Sequence, residues 1–586
     1  MVCALALGLM SAACTDFLEP LPDGSYNEDN YANYPALVRG YIDKAYNLRP
    51  SSFYTSEYIG SDAAADDMEY RSKTTDIAKF AAGSGKKTSY PFEGIWERDY
   101  KAIFYVNLFL KDDLGKNMRY LVNNESNAVL QRCLQGDAFG LRAWYLANLL
   151  EFFGGKGTNG QMLGVPIFTE PVDFATFKNE DLKRATYDEC VEQILADCDS
   201  AIKYLPLANK DQFSMGEPFA VTGAIRYRLL DAISIKALKA KVLLTWASPA
   251  FNPGGDKSRY TAAAMAAKEV IDHKLNVEST FTSGFNAAAS FSWNNPNAPE
   301  VIFPGHIAQN DTYETNFYPL GFGGKASMGP TQEFVDAFPM SNGYPITHPS
   351  SGYNPAAPYL NRDPRFYENV MFDGSEVRRN QGAMEVMYII NSAEGGKDAP
   401  GGVQTSPTGY YARKYVYMGW NPNDAAIETA QHCNFFLRWT HMCLIFAEAA
   451  SEAGSPTTAI DGLTAKQALS YLRNRPTESG TAGVGATTDP YLDECAADPA
   501  KFRALVRNEW RIETFLEGIR FHNVRRWANS VDDINVSVSR AVISGGSYGK
   551  SVVSTRNYPS IWLPIPYGDI RKAPNMVQNE GWESWK

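Results

Sequence analysis

The 586-residue sequence lacks the short motifs that most often mark an enzyme or a metal protein. It contains no C-x-x-C pair, no H-E-x-x-H segment and no EF-hand loop. A G-x-S-x-G match occurs at 545–549, but no histidine follows His522, so the downstream histidine of a serine hydrolase is missing. We therefore interpret the match as a glycine turn and predict no catalytic residue, metal or cofactor. The paired carboxylates of a glycoside hydrolase leave no sequence signature, so a secreted glycan hydrolase stays an alternative.

An excess of positive charge is also missing, because the formal net charge is -11. This balance disfavours nucleic acid and anionic membrane surfaces as partners. Six arginines do lie within 503–526, but Glu509, Glu513 and Glu517 are interleaved with them. Four-residue spacing places the acidic and basic sets on adjacent ridges of one helix, so we expect them to pair with each other. We predict a structural ion-pair ridge here and no nucleic-acid site. The helix is expected to end at Gly518, and a second short helical segment to follow it.

The eight cysteines do not follow a disulfide or metal-binding pattern. Cys190 and Cys198 lie on one predicted helix about 12 Å apart, which is too far for a disulfide. A second group consists of His432, Cys433, His441 and Cys443. On a single helix the two halves of that group would lie roughly 13 Å apart, so they could not share an ion. We therefore predict cysteines buried in the core.

A hydrophobic run long enough to cross a bilayer is missing as well. The apolar segment 2–13 is too short for that and is typical of the hydrophobic region of a signal peptide. It ends in small residues just before Cys14, as at a lipoprotein cleavage site. We predict a signal peptide at 1–13, lipidation of Cys14 and a lipid-anchored linker at 14–30. The first basic residue is Arg39, so the basic start of such a signal is absent, which favours a start codon further upstream; an exported soluble protein cleaved elsewhere is the alternative.

Amphipathic helices dominate residues 31–275, with small residues where neighbouring helices would touch. We expect Thr186 to cap one of them. The repeated pairing predicts a mainly α fold of tetratricopeptide-like helix pairs without the strict consensus. The predicted helices in this region are 30–48, 96–110, 136–155, 184–206, 235–247 and 262–271.

Proline, glycine, asparagine and aromatic residues dominate 276–430, where long helical periodicity disappears. Only short strand-like runs, at 300–303 and 411–417, interrupt it. We predict a second, irregular and loop-rich lobe, and such loops on a rigid scaffold often carry binding residues. Helices resume in the C-terminal region 431–586, at 435–453 and 465–472. The proline-rich tail from Trp562 is expected to lie extended on the surface.

Residues 506–527 read V-R-N-E-W-R-I-E-T-F-L-E-G-I-R-F-H-N-V-R-R-W. This segment resembles the C-terminal signature of the SusD/RagB family, which are outer-membrane nutrient-binding lipoproteins of Bacteroidetes. Further segments resemble the family in the same order along the chain, although Asp137, Asp569, Ala573 and Glu580 replace its usual residues. These segments are 96–107, 136–167, 330–366 and 562–582.

The resemblance implies a helical scaffold with an irregular second lobe and no catalysis. It also implies a protein anchored in the outer membrane by its lipid and facing the cell exterior. The implied partner is a SusC-like TonB-dependent transporter, which the lipoprotein covers as a hinged lid. The first functional hypothesis is therefore a glycan-binding lipoprotein that delivers oligosaccharides to this transporter. Peptide capture, as in the RagB branch, is the alternative with the same fold.

Three loop stretches are candidates for the ligand site, because aromatic faces stack on sugar rings and polar side chains bridge sugar hydroxyls. The first lies where the family's sugar-binding loop falls. For each aromatic residue, packing within its own loop is the competing interpretation. The first stretch offers Asp62, Asp67, Tyr70 and Arg71, the second Trp293, Asn294, Tyr313, Phe317 and Tyr318, and the third Tyr417 and Trp420.

Overall fold

The computed structural model describes residues 34–173, 175–209, 221–276, 295–381, 384–418, 430–477, 480–481 and 489–585. Cys14, Trp293, Asn294 and Trp420 lie outside the described residues. The α-helices are α1 (Pro35–Asn47), α2 (Ser61–Ala64), α3 (Asp76–Ala81), α4 (Glu93–Leu110), α5 (Leu114–Asn117), α6 (Asn124–Phe153), α7 (Tyr187–Tyr204), α8 (Ala232–Ala247), α9 (Lys257–Asn276), α10 (Thr312–Phe317), α11 (Gln332–Ala337), α12 (Pro364–Asn369), α13 (Trp439–Ala453), α14 (Ala465–Arg473), α15 (Pro490–Ala496), α16 (Pro499–Glu513), α17 (Ile519–Trp527) and α18 (Tyr567–Ile570).

The strands are short and pair two by two. They are β1 (Met68–Tyr70), β2 (Gly155–Lys156), β3 (Met162–Leu163), β4 (Val301–Asn310), β5 (Met328–Pro330), β6 (Val370–Met371), β7 (Glu376–Gln381), β8 (Met384–Ile389), β9 (Tyr411–Ala412), β10 (Ala430–Arg438), β11 (Ala459–Ile460), β12 (Leu463–Thr464), β13 (Pro476–Thr477), β14 (Gly480–Thr481), β15 (Ser537–Ser544) and β16 (Ser547–Thr555).

The long helices form one array in which each packs on the next, in the order α1, α4, α6, α7, α8, α9, α13 and α14. This arrangement confirms the predicted mainly α fold of stacked helix pairs. Helix α7 begins as predicted, because Thr186 and Glu189 form a reciprocal capping box. Helix α6 starts well before the predicted 136, at the N-cap Asn123. Its first turns are mostly polar and partly exposed, so they carry little periodic apolar signal.

The irregular lobe lies between α9 and α13, inserted within the array. Strand β4 leaves the array and β10 returns to it, and the two pair antiparallel from Arg438 opposite Val301 to Ala430 opposite Asn310. The predicted strand at 300–303 is the start of β4. The predicted helix at 435–453 starts only at Trp439, because its first residues belong to β10. The extended run predicted at 411–417 is confined to β9, since Tyr415 has a left-handed backbone (φ 69°).

The segment 506–527 forms two helices, as predicted, but the first one ends before Gly518. Helix α16 stops at Glu513, and Leu516 already has a positive φ of 62°. Gly518 (φ 74°) instead begins α17. A Cβ atom at Gly518 would lie 2.7 Å from the Cα of Tyr58, so the close approach of the two backbones also requires glycine.

The acidic ridge of α16 pairs with distant residues, so the predicted pairing within the helix is wrong. Glu509 accepts hydrogen bonds from Arg365 at 2.8 Å and Arg473 at 2.6 Å. Glu513 accepts from Arg365 at 2.8 Å and Arg475 at 3.2 Å. All five side chains are buried. The ion pairs therefore join α16 to the irregular lobe and to α14.

The two ridges separate because they face opposite sides of α16. Glu517, beyond the helix end, faces inwards to Lys414 at 2.7 Å and Arg438 at 2.8 Å. Arg503 instead reaches Glu452, and Arg511 reaches Asp67 at 2.5 Å. The balance of acidic and basic residues in this segment therefore indicates a structural role correctly. The ion-pair partners of these residues, however, lie far away in the sequence.

The tail from Trp562 is buried, which corrects the expectation of a surface segment. Trp562 packs against Phe251, with ring centroids 5.3 Å apart, and Trp582 stacks on Phe80 at 5.6 Å. Leu563 and the apolar residues that follow it are also buried, so they add their side chains to the hydrophobic core of the helix array.

The remaining motifs behave as structural elements. Gly545 and Gly546, both with positive φ, form the turn of the β15–β16 hairpin, which confirms the predicted glycine turn. All six cysteines within the described ranges are buried, as predicted, and no disulfide joins any two of them. The cluster at 432–443 does not occupy one helix, because His432 and Cys433 lie on β10. Among the described residues no group of His, Cys, Asp and Glu is arranged to hold a metal ion.

Candidate functional site

The first candidate stretch lies beside the segment that follows the second one in the chain. Strand β1 pairs antiparallel with β5, so that Tyr70 stands opposite Met328. One residue further, the backbone N–H of Arg71 donates to the carbonyl oxygen of Ser327 at 3.0 Å. Residues 68–71 therefore form the edge next to the segment that follows α10.

The second and third stretches are in direct contact. The ring of Tyr313 stacks on that of Tyr415, with centroids 5.0 Å apart and planes at 23°. The Tyr318 hydroxyl donates to the carbonyl oxygen of Tyr417 at 3.1 Å. The Tyr417 N–H donates to Glu314 Oε1 at 2.6 Å. The segment that pairs with β1 is in turn bonded to α10, because the N–H groups of Lys325 and Ser327 donate to the carbonyl oxygens of Thr315 and Asn316, both at 2.7 Å. The three segments are therefore connected, and we call them together the loop junction: residues 68–71, 312–330 and 415–418.

Five of the predicted ligand residues lie beneath the surface of the junction. Asp62, Asp67, Tyr313, Phe317 and Tyr318 are buried, and in this structure their side chains have no surface to offer a ligand. The expectation of an exposed patch is therefore corrected for these five, and packing within the loops is the better interpretation of the three aromatic residues.

Internal partners explain this burial. The Tyr313 hydroxyl donates to Asn434 Oδ1 at 2.9 Å, and Asp62 Oδ2 accepts from the Gly518 N–H at 3.0 Å. Burial raises the pKa of Asp62 well above its usual range, and the charge of Asp67 raises it further. For Asp67, burial also raises the pKa, against the opposing effect of Arg511. These groups support the junction from within.

The accessible side chains of the region include one arginine and three tyrosines. Arg71 is exposed, Tyr70 and Tyr54 are half-buried, and Tyr417 is 44% exposed. Tyr54 was not predicted; its ring contacts Phe317 at a centroid distance of 6.0 Å. Burial raises the pKa of Tyr54 to about 12, although a hydrogen bond with Ser327 lowers it. The phenol is therefore protonated at neutral pH and can donate a hydrogen bond.

The signal that could have indicated Tyr54 is its setting in the polar and aromatic run Ser-Ser-Phe-Tyr-Thr between two helices. The same surface contains Ser327, whose hydroxyl donates to Asn316 Oδ1 at 2.9 Å. Tyrosine rings, a guanidinium and small hydroxyl or amide groups can stack on a sugar ring and bond its hydroxyls. The arrangement suits a polar, uncharged ligand with an apolar face.

The fold and the junction define a class: a helical-array protein with an inserted, loop-rich lobe that presents a surface of aromatic and polar residues. Two family models match the chain. The SusD family matches residues 299–582, and a family described as starch-binding associating with outer membrane matches residues 16–219. The two segments make up most of the chain, and the chain belongs to the SusD/RagB family.

Solved structures of the same family share the fold. A SusD-like protein from Bacteroides fragilis has a TM-score of 0.71 at 23% identity, covering 95% of this chain and 98% of that one. A SusD-like carbohydrate binding protein from Bacteroides fragilis has a TM-score of 0.67 at 18% identity, covering 93% and 99%. A SusD superfamily protein from Parabacteroides distasonis has a TM-score of 0.59 at 17% identity, covering 95% and 100%. No curated protein matches the chain.

Within the described residues, none of the helices combines the length and apolar character needed to cross a membrane.

Proposed function

We propose that the protein is a cell-surface lipoprotein that binds oligosaccharides at the loop junction and delivers them to a SusC-like TonB-dependent transporter. The observation that supports the proposal is that the connected segments of the loop junction carry the accessible side chains of Tyr70, Arg71 and Tyr417, with Tyr54 packed beside them. The family description as starch-binding and associated with the outer membrane supports the same ligand class.

The junction would act by binding without catalysis. The rings of Tyr54, Tyr70 and Tyr417 supply faces for stacking, and Arg71 supplies donors for ring hydroxyls. Buried contacts hold the surface in place: Glu314 fixes the backbone of Tyr417, and the β1–β5 pairing fixes Tyr70. Such pre-organisation lowers the entropy lost on binding.

Three further predicted contacts, Trp293, Asn294 and Trp420, lie outside the described residues and stay predictions. In the sequence, Trp420 follows the last residue of the junction, Met418, by two positions. Trp293→Ala and Trp420→Ala test them by calorimetry. Wild-type affinity in both variants, with normal folding, would exclude these indoles from the site.

The main test uses a form that begins after Cys14, so that no lipid interferes. A glycan array identifies the ligand, and calorimetry then compares Tyr70→Ala and Tyr417→Ala with the wild type. We expect each variant to bind about tenfold more weakly, because a stacked aromatic contributes on the order of 1 kcal/mol or more. The matched control is Tyr34→Ala, which removes a tyrosine that is 56% exposed at the start of α1.

A peptide library probed in parallel separates the two ligand classes of the fold. Binding of glycans alone, weakened by the junction variants but not by Tyr34→Ala, supports the proposal. Binding of peptides alone would replace it with peptide capture.

A further inference from the structure

A polar cleft of about 360 Å³ opens between α16 and α17. None of the accessible side chains of the loop junction lines it. Its polar lining residues are Arg507, Asn508, Arg511, Arg520, Asn529 and Asp533. Cavities that bind small molecules measure about 300–1,000 Å³, so this cleft has room for a molecule the size of one sugar.

Two of the three arginines in the cleft are fixed by carboxylates. Arg520 donates to both oxygens of Asp66, at 2.8 and 2.9 Å. Arg511 donates to Asp67 at 2.5 Å and lies 3.2 Å from Asp66. These arginines form a rigid wall whose charge is balanced by the two aspartates.

Arg507 differs from both, because no carboxylate of the described chain lies within ion-pair distance of it. Its guanidinium lies over the ring of Trp527, 4.9 Å from the centroid. The nearest acidic side chains, Glu448 and Glu452, are held by Arg526 and Arg503. Arg507 is thus a partly buried cation, oriented by an indole, whose donors face a polar cleft.

The acidic residue of the cleft does not neutralise Arg507. Asp533 accepts hydrogen bonds from the backbone N–H groups of Asn529 and Ser530, at 2.8 and 3.3 Å, and so caps its own turn. Asn508 donates to the carbonyl oxygen of Ala337 at 2.9 Å, which leaves its side-chain oxygen as an acceptor. The cleft therefore offers one uncompensated cation beside amide groups.

We infer that this cleft is a second ligand site, for a small molecule that carries one carboxylate and several hydroxyls, such as a sugar acid. The planar guanidinium of Arg507 binds a carboxylate through two parallel hydrogen bonds. The amides of Asn508 and Asn529 bond the hydroxyls, and Val524 contacts the apolar side of the ring. This site is separate from the oligosaccharide surface of the loop junction.

The test is calorimetry with D-glucuronate, D-glucose and acetate on the form that begins after Cys14. We expect glucuronate to bind about tenfold or more tightly than either glucose or acetate, and added salt to weaken the binding. Arg507→Gln should lower the glucuronate affinity about tenfold or more. The matched control is Lys501→Gln, at the start of the same helix, where a 52% exposed lysine pairs with Glu494.

Two further variants complete the test. Asn529→Ala changes an exposed residue and should lower the affinity a few-fold without affecting folding, and Tyr70→Ala should leave it unchanged. The inference is overturned if glucuronate fails to bind, if Arg507→Gln binds it like the wild type, or if acetate binds equally well. Loss of glucuronate binding in Tyr70→Ala would also overturn it, because the acid would then occupy the junction. None of these results depends on whether the junction binds oligosaccharides.

Discussion

Glu513 shows how strongly single residues connect the array to the lobe. Its carboxylate lies in the core between Arg365 and Arg475. Burial would raise its pKa, but Arg475, Arg365 and Arg438 lower it to about 2. The ionised form is therefore the stable one throughout the neutral range.

Replacing Glu513 by alanine should lower the free energy of unfolding by about 3 kcal/mol, because buried arginines lose a counter-charge. Urea denaturation measures the change. Glu452→Ala, which removes the partner of the partly exposed Arg503, should cost less than about 1 kcal/mol. An unchanged midpoint for Glu513→Ala together with lost ligand binding would contradict the structural role.

His522 makes the fold sensitive to acid. Burial lowers its pKa to about 4, with Lys241 and Arg525 adding to the effect against Glu151. Below pH 6.5 the unfolded chain binds a proton that the folded protein refuses, so stability falls as the pH drops from 6.5 towards 4. Glu513 adds a further loss from its ordinary value of 4.5 towards 2.

We expect His522→Gln to flatten the decline in unfolding free energy between about pH 6.5 and about pH 4.5. The decline in a Glu513→Gln variant should instead be altered only at lower pH. Denaturant unfolding at several pH values measures both. Identical pH profiles for His522→Gln and the wild type would rule out this histidine as the source.

For single residues, the sequence predicts the chemical role of a side chain better than the partners that surround it in the fold. The alternating charges of α16 indicated a structural segment, yet Arg365, the shared partner of two of its glutamates, lies 144 residues from Glu509. In the same way, Asp62 and Asp67 looked like polar loop residues, because the Gly518 N–H and the Arg511 guanidinium that donate to them come from the far end of the chain.

At the scale of elements, local chemistry determines where α7 begins. Thr186 Oγ1 accepts from the Glu189 N–H, and Glu189 bonds back to the Thr186 N–H. Thr186→Ala should lower the free energy of unfolding by about 1 kcal/mol, as measured by urea denaturation, because a backbone donor loses its partner. Thr186→Ser keeps the oxygen and should restore most of the stability. Equal loss in both variants would show that the methyl group, not the cap, is responsible.

The helices could be predicted because their apolar faces repeat with helical periodicity, as in α4 and α7. Elements set by long-range contacts could not. The extended backbone predicted for 411–417 is interrupted at Tyr415. This residue has a left-handed backbone, and its ring stacks on Tyr313, which is far away in the sequence. The tail from Trp562 is buried because Phe251 and its neighbours, far away in sequence, provide the matching surface.

For the whole molecule, the lipid anchor at Cys14 stays a prediction. In cells with an intact signal peptide, we expect Cys14→Ala to release the protein from the outer membrane when the transporter is deleted. Fractionation with an antibody measures this, and the wild-type protein in the same strain is the control. Retention of Cys14→Ala in the outer-membrane fraction would contradict lipidation at this residue.

The candidate site shows what sequence reasoning reached at this scale. The three stretches were identified separately, and the fold brings them together through β1–β5 and through Tyr318 and Tyr417. Which side chains face outwards depends on the packing of that junction. Tyr54, for example, was missed because only its contact with Phe317 places it there.

The central claim is that the loop junction binds a glycan. A crystal structure of the form that begins after Cys14, in complex with the glycan that the array identifies, tests it most directly. We predict a sugar ring stacked on Tyr70 or Tyr417, with Arg71 or Ser327 bonded to its hydroxyls. A glycan bound elsewhere on the molecule, with the junction empty, would contradict the account.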